Sequence, residues 1–231
     1  MPKYNGAAYF DLDGTLLDAS SEKSLTAKLA RKKPWRIPLG ATMWILGTLG
    51  NLLRGRSFYD ATRNRGHFTL ASWEVLDSFS QELVKNKLLM RITPEAKECL
   101  EWHRSQGHRL VLVSATIAPM AEAMGDALGM DYSYGCGPKN RIGRLSGSER
   151  GWSVPRRKGK VPIVQKDAKE NGHNLSECYA YGNTFADLSI KLRGVSAWKF
   201  AFALSNLSYS FIVICALESI SHVVEIITDQ C

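Results

Sequence analysis

The chain has no CxxC pair and no other cysteine spacing that would suit a metal site. Its five cysteines (Cys99, Cys136, Cys178, Cys215 and Cys231) stand singly, and an odd count excludes a complete disulfide framework. A reducing compartment, the cytoplasm, is therefore expected. No signal-peptide pattern heads the sequence, because Lys3 is followed within ten residues by the acids Asp11 and Asp13. There is no internal repeat and no low-complexity tract. There is also no zinc-finger spacing and no RNA-recognition aromatic motif, so nucleic acid is not an expected partner. With 45% hydrophobic and 23% charged residues, the composition excludes a disordered chain.

Acidic residues are in deficit. The formal net charge is +8, from 30 Lys and Arg against 22 Asp and Glu. Residues 194–231 contain one lysine and three acids, so the excess lies in residues 1–193. Such an excess fits a solvated basic surface. It equally fits an anionic partner: a phosphate substrate, an acidic lipid or nucleic acid. Charge alone does not choose.

A length of 231 residues allows one full core and a smaller accessory unit. Residues 4–10 form a short apolar run ending in the acidic turn Asp11-Leu12-Asp13-Gly14-Thr15, which predicts a buried strand followed by a loop. Residues 109–113 predict a second buried strand. It follows a helix that opens at Thr93, Pro94 and Glu95, where Thr93 caps and Pro94 suits the first turn, and that ends at Gly107. Residues 117–128 and 161–170 predict further helices, the latter stopped by Asn171 and Gly172. Residues 139–147 predict a hairpin or turn region, and residues 178–181 a short strand before Gly182. Strands alternating with helices imply a parallel sheet covered on both faces.

Roughly ninety residues separate the first two strands, far more than a simple crossover needs. Residues 18–92 are therefore an insert, mainly helical by pattern. Six aromatics of the insert (Trp35, Trp44, Phe58, Tyr59, Phe68 and Trp73) exceed what a core needs. Within it, residues 37–53 carry no charge. Arg31, Lys32, Lys33 and Arg36 precede them, and Arg54 and Arg56 follow. At 1.5 Å per residue a helix of this length reaches about 25 Å, short of a bilayer's ~30 Å hydrocarbon core. Pro38, Gly40, Gly47 and Gly50 weaken it further. The leading expectation is buried helices of the insert; the competing one is an in-plane membrane contact with basic flanks.

Four segments carry chemistry when taken together. In Asp11-Leu12-Asp13-Gly14-Thr15, two carboxylates leave a strand into a loop. One can attack phosphorus and bind a metal; the other can give a proton to a leaving oxygen and then activate water. Ser114, after Val113, offers a short hydroxyl at a strand end for a phosphoryl oxygen. Lys160 can offset negative charge in a transition state, with Lys158 and Lys166 as local competitors. In Tyr181-Gly182-Asn183-Thr184-Phe185-Ala186-Asp187, Asn183 offers a carbonyl oxygen and Asp187 a carboxylate, the oxygen donors that magnesium prefers. Each alone has an ordinary reading: an acidic loop, a turn serine, a surface lysine, a helix cap. Their order along one chain is what removes those readings.

In that order they resemble the haloacid dehalogenase superfamily of phosphatases, in its phosphoserine phosphatase-like branch with a helical cap. The resemblance covers about residues 4–193. Phe10-Asp11-Leu12-Asp13-Gly14-Thr15-Leu16-Leu17 matches the first motif, Val113-Ser114 the second, and Lys160, twenty-three residues before Asn183, the spacing of the third and fourth. It implies an α/β fold: a Rossmann-like parallel sheet with helices on both faces and an inserted, mainly helical cap of the C1 type. The core would be residues 1–17 and 93–200, the cap residues 18–92, and residues 201–231 an apolar tail. By position, Asp11 would be the nucleophile and a metal ligand. Asp13 would be the general acid and base, with its backbone carbonyl on magnesium. Ser114 and Lys160 would hold the phosphoryl group, and Asn183 and Asp187 would complete the Mg2+ site. Arg65 matches a cap arginine that pairs with an anionic substrate group.

The departures bear on substrate. Asn183 stands where the family usually has an acid, which implies weaker metal binding. Ser20 stands where phosphoserine-specific members carry a glutamate for the substrate amine, which argues against phosphoserine. The expected function is Mg-dependent hydrolysis of a small-molecule or lipid-headgroup phosphate through an aspartyl-phosphate, with peripheral membrane contact as a further expectation. A phosphotransferase and a catalytically weak phospho-ligand or partner-binding module are the alternatives. Oligomeric state is not legible from the sequence.

Overall fold

The computed structural model describes residues 4–156 and 159–182, together with the backbone of two further strands at Lys199–Phe202 and Ile212–Cys215. In chain order, β1 (Ala7–Phe10) is followed by the helices α1 (Ser21–Lys32), α2 (Arg36–Leu53), α3 (Phe58–Ala61) and α4 (Trp73–Leu83). Then come α5 (Pro94–Ser105), β2 (Arg109–Ile117), α6 (Ala118–Ala127), β3 (Tyr132–Cys136), α7 (Lys160–Glu170), β4 (Tyr179–Tyr181), β5 (Lys199–Phe202) and β6 (Ile212–Cys215). The main sheet runs β3-β2-β1-β4, and every pairing in it is parallel. β5 and β6 form a separate antiparallel pair. The chain thus has the α/β, Rossmann-like architecture that its strand–helix alternation predicts.

β1 sits in the middle of that sheet and is buried throughout. Its two-residue period divides it between two cores. Ala8 and Phe10 join Leu110 and Leu112 on one side, with Leu100 of α5 and Met120 and Met124 of α6. Ala7 and Tyr9 join Val111 and Val113 on the other, with Val161 and Val164 of α7. Each of these large apolar side chains contributes roughly 1.5–3 kcal/mol by burial, so a near-continuous apolar run is what a strand with helices on both faces needs. Beneath the second core lies a polar knot. Asp167, itself buried, accepts from Arg109 at 2.9 Å, Tyr134 at 3.0 Å and Tyr9 at 3.1 Å. Burial first, and then the Asp167 charge, push the Tyr9 hydroxyl far above its ordinary pKa.

The helix signals hold in detail. Thr93 accepts from the Ala96 N–H and Pro94 opens α5. Asn171 comes directly after the last residue of α7. The insert leaves and rejoins the sheet through one narrow neck: Leu17 pairs with Ile92, the Asp18 N–H donates to the Arg91 carbonyl at 3.0 Å, and the Thr93 N–H donates to the Leu16 carbonyl at 3.2 Å. After α4 the chain continues through a π-helical turn, Val84–Leu88, to that neck.

Two expectations about the insert need correction. Residues 37–53 lie in one helix, α2, despite Pro38 and three glycines, and the helix is not buried. Ile37 is 58% exposed, Leu49 52% and Leu53 90%. Pro38 is tolerated because it falls in the first turn, where an N–H would have no helical acceptor. The aromatics also divide. Phe68 and Trp73 belong to the core, whereas Trp35, Trp44, Phe58 and Tyr59 are exposed. Among the described residues, no helix is long and apolar enough to cross a membrane. Of the apolar tail, only the backbone of β6 and of Ala201 and Phe202 is described.

Candidate active site

The site gathers at the C-terminal end of β1 and beside the C-terminal half of β2, which runs on past the expected end at residue 113 to Ile117. The Asp11 N–H donates to the Tyr181 carbonyl at 2.9 Å, which carries the sheet ladder one residue past β1. The chain then curls tightly: the N–H groups of Thr15, Leu16 and Leu17 all converge on the Leu12 carbonyl, and the Gly14 N–H donates to the Leu17 carbonyl. Gly14 sits at φ 80°, a conformation that costs other L-residues energy. Leu12 points inward as a fully buried anchor, so its neighbours Asp11 and Asp13 both leave the core.

Lys160 opens α7 and is itself buried, yet its Nζ lies 3.0 Å from Asp11 Oδ1. Ser114 is buried in β2 at the point where the β2–β3 register shifts after Val113. Its Oγ accepts from the Thr116 N–H at 3.2 Å, which leaves its proton to be donated elsewhere. Asp13 receives the Ser21 N–H on both oxygens, at 3.1 and 3.2 Å. Burial pushes the Asp13 carboxyl up to about 6. The Ser21 hydrogen bonds oppose that rise, and the negative charges of Asp11 and Glu22 add to it. A carboxyl in that range can both give and take a proton near neutrality.

Arg65 is buried and engaged. Its guanidinium donates to the Ala115 carbonyl at 2.5 Å, next to Ser114, and pairs with Glu22 Oε2 at 2.9 Å. Glu149 Oε1 stands 3.9 Å from Arg65 Nε and 3.1 Å from Arg156. His67 Nε2 lies 3.5 Å from the second Glu22 oxygen. Burial raises the Glu22 carboxyl, but Arg65 and His67 outweigh it, and the net shift is downward. The Ser21 hydroxyl donates to Thr116 Oγ1 at 3.0 Å, a second tie between the insert and β2.

The structure therefore pairs Lys160 with Asp11 in the loop that also carries Asp13, sets Ser114 on the strand beside β1, and has Arg65 hold the Ala115 carbonyl next to Ser114. Asn183 and Asp187 lie outside the described residues, which stop one residue past β4 at Gly182. Sequence reasoning passed over Ser21, Glu22, Thr116 and Glu149. Glu22 had a readable signal, as an acid in the first turn of the helix after the acidic loop, two residues beyond Ser20. Among the described residues, no group of three His, Cys, Asp or Glu is placed to hold a metal.

The sequence model for haloacid dehalogenase-like hydrolases matches residues 8–190. The chain belongs to this family. Within it, the chain is 26% identical over 196 residues to a probable phosphatase of Mycobacterium tuberculosis, covering 81% of this chain and 66% of that protein. It is 29% identical over 106 residues to the phosphoserine phosphatase of Methanocaldococcus jannaschii, covering 45% and 50% of the two chains. The chain thus spans no more than about two thirds of the length of the curated relatives it matches. Among solved structures it resembles a protein of unknown function from Bordetella pertussis, with 25% identity, TM-score 0.65, and 83% and 87% of the two chains covered. It also resembles a phosphoserine phosphatase with a phospho-aspartyl intermediate analogue, with TM-score 0.54, 19% identity, and 85% and 86% covered. The second likeness is one of fold. Together with the family match it supports the phosphoserine phosphatase-like branch that the motifs point to.

Proposed function

We propose that this member of the haloacid dehalogenase-like hydrolases is a magnesium-dependent phosphomonoester hydrolase that works through an aspartyl-phosphate on Asp11. The observation that carries the reading is the contact between Lys160 Nζ and Asp11 Oδ1, 3.0 Å apart at the head of the central strand. Burying a lysine amine beside a loop carboxylate costs desolvation, so the pair is a weak device for stability alone. As charge placed where a phosphoryl group must sit beside its nucleophile, it is what the chemistry requires.

The oxygen donors suit a hard divalent cation: the carboxylate of Asp11, the backbone carbonyl of Asp13, and, by motif position, Asn183 and Asp187. Burial is the main cause that raises the Asp13 carboxyl, and the neighbouring Asp11 charge adds to it. When bound, magnesium would supply positive charge against the phosphoryl oxygens. The remaining work falls to side chains of this chain. An Asp11 oxygen attacks phosphorus, and the bond from phosphorus to the ester oxygen breaks. Asp13 gives its proton to that departing oxygen. Ser114 donates its hydroxyl proton to one phosphoryl oxygen, and Lys160 offsets the charge on another. In the second half, Asp13 takes a proton from water as the water oxygen attacks phosphorus, which frees inorganic phosphate and restores Asp11. Arg65 holds the Ala115 carbonyl and so fixes the backbone beside Ser114; an anionic substrate group would compete with Glu22 for it.

The same proposal divides the chain into a core of residues 1–17 and 93–200 and a helical cap of residues 18–92. The Leu17–Ile92 pairing at the two predicted boundaries supports it. The substrate is a small-molecule or lipid-headgroup phosphate. Glu22 lies near Ser20 but is already paired with Arg65, which weakens the case for a substrate amine there.

The test is phosphate release from a panel of phosphomonoesters, with and without magnesium, by wild type and Asp11→Asn. Metal-dependent release that the substitution abolishes is the expected result. Folded protein that releases no phosphate from any ester, yet binds phosphorylated ligands, would replace the reading with a binding module.

A further inference from the structure

The outer face of α2 takes no part in the proposed reaction, and it is the most anomalous surface among the described residues. Eighteen residues hold a single charge, Arg36, which is buried and donates to the Thr69 carbonyl. The exposed face of α2 is therefore uncharged, whereas a helix facing water normally carries its charges there. Ile37, Ala41, Ile45, Leu49 and Leu53 succeed one another at intervals of four and form one apolar row, all exposed. Phe58, just beyond the helix, is 71% exposed and extends it.

The face is held outward by its opposite side. Asn64 Nδ2 donates to the Trp44 carbonyl at 3.1 Å and to Thr48 Oγ1 at 3.0 Å. The backbone of Gly66 packs so closely on α2 that a Cβ there would come within 2.5 Å of the Met43 carbonyl oxygen. Rolling the helix to hide its apolar row would break these contacts.

Charge identifies what could cover it. Residues 23–59 contain eight Lys and Arg and no acid, while the rest of the chain holds 22 of each sign. The whole net charge of +8 thus belongs to the segment that carries the exposed apolar row. Arg31, Lys32 and Lys33 stand before α2, and Arg54 and Arg56 after it. An apolar protein partner would use the row but not the cations, and nucleic acid would use the cations but not the row. A surface that is anionic outside and apolar a few ångströms below uses both.

We propose that α2 docks on an anionic lipid bilayer, lying in the plane of the interface with its apolar row in the acyl boundary and its basic flanks at the headgroups. Eighteen residues at 1.5 Å give about 27 Å, too short to cross a ~30 Å hydrocarbon core, so the orientation is in-plane. The proposal does not rest on the phosphatase reading.

The test is co-sedimentation of the full chain with vesicles of phosphatidylcholine alone and of phosphatidylcholine mixed equally with phosphatidylglycerol. Binding to the anionic vesicles at least about tenfold tighter than to the neutral ones, and weakening with added salt, is expected. The pair Ile45→Glu and Leu49→Glu should remove binding to about background, and so should Arg54→Glu with Arg56→Glu. Lys85→Glu with Lys87→Glu makes the same charge change away from α2 and should alter binding by about twofold at most. Circular dichroism on each variant separates lost binding from lost fold. Equal binding to both vesicles, no binding to either, or unchanged binding by the folded α2 variants overturns the proposal. So does sedimentation velocity showing a dimer that Ile45→Glu and Leu49→Glu dissolve, which would give the face to a second copy.

Discussion

β1 and α2 are both apolar runs, and they meet opposite fates. β1 is four residues with no exposed side chain, clamped between β2 and β4 and covered by helices on both faces. α2 is eighteen residues that share one charge and leave a full row in solvent. Hydrophobicity alone does not bury a segment; a facing surface does. β1 finds two, because strands pair laterally and alternate their side chains. α2 packs along one side only, on the stretch around residues 61–69, and its other side meets none of the described residues. The two runs also lead into different segments. β1 delivers Asp11 and Asp13 into a tightly hydrogen-bonded loop, whereas α2 is followed by Arg54, Gly55 and Arg56.

The sharpest break in this comparison is chemical. Asp11→Asn should lower metal-dependent phosphate release by about 10⁴-fold or more, as loss of a nucleophile does, while an α2 substitution leaves turnover of a soluble ester unchanged. Single-turnover phosphate assays on both variants decide it. Next is packing. Phe10→Ala removes a side chain stacked on Tyr181 at 4.7 Å between centroids and should cost about 3–5 kcal/mol. Urea unfolding with unchanged slope would show it.

A smaller effect concerns the tie between the insert and the site. The Glu22 carboxyl titrates lower in the folded protein than the unfolded value of about 4.3. Its ionised form therefore stabilises the fold above that pH, and the contribution is lost as pH falls through the folded value. Glu22→Gln should be about 1–3 kcal/mol less stable at neutral pH, and the gap to wild type should close in acid. Unfolding midpoints between neutral pH and the acid limit of folding test the sign. Smallest of all, Leu49→Ser should change stability by about 0.5 kcal/mol or less, because that side chain is already 52% exposed. A clear destabilisation there would mean that α2 is packed in solution.

Much of the fold was legible for local reasons. Thr93-Pro94 announced α5, Asn171-Gly172 ended α7, and the unbroken apolar residues of β1 and β2 announced a covered parallel sheet. β3 was not legible. Tyr132-Ser133-Tyr134-Gly135-Cys136 has no aliphatic side chain, and it is a strand because Gly135 lets it lie against α6, where a Cβ would come within 2.6 Å of Ala118 Cα. Asp11 and Asp13 could be named in advance because they follow a strand end that local pattern reveals, and Lys160 because of its spacing from Asn183; Ser114 was expected just past a strand of residues 109–113 but lies within β2, which runs on to Ile117. Their convergence, and the network of Glu22 with Arg65, Glu149 and Arg156, could not. Those partners come from segments far apart along the chain, and no local preference encodes the distance between them.

Neighbours along the chain are enough to set the alternation of strand and helix, the carboxylate loop after β1 and the basic charge around residues 37–53, because each depends on nothing more distant. Only packing in three dimensions brings Lys160 to Asp11, holds Arg65 between Glu22 and the Ala115 carbonyl, and turns the apolar row of α2 outward. Those outcomes depend on which surfaces compete for one another in space, and a side chain's burial is a property of its partners as much as of its own chemistry.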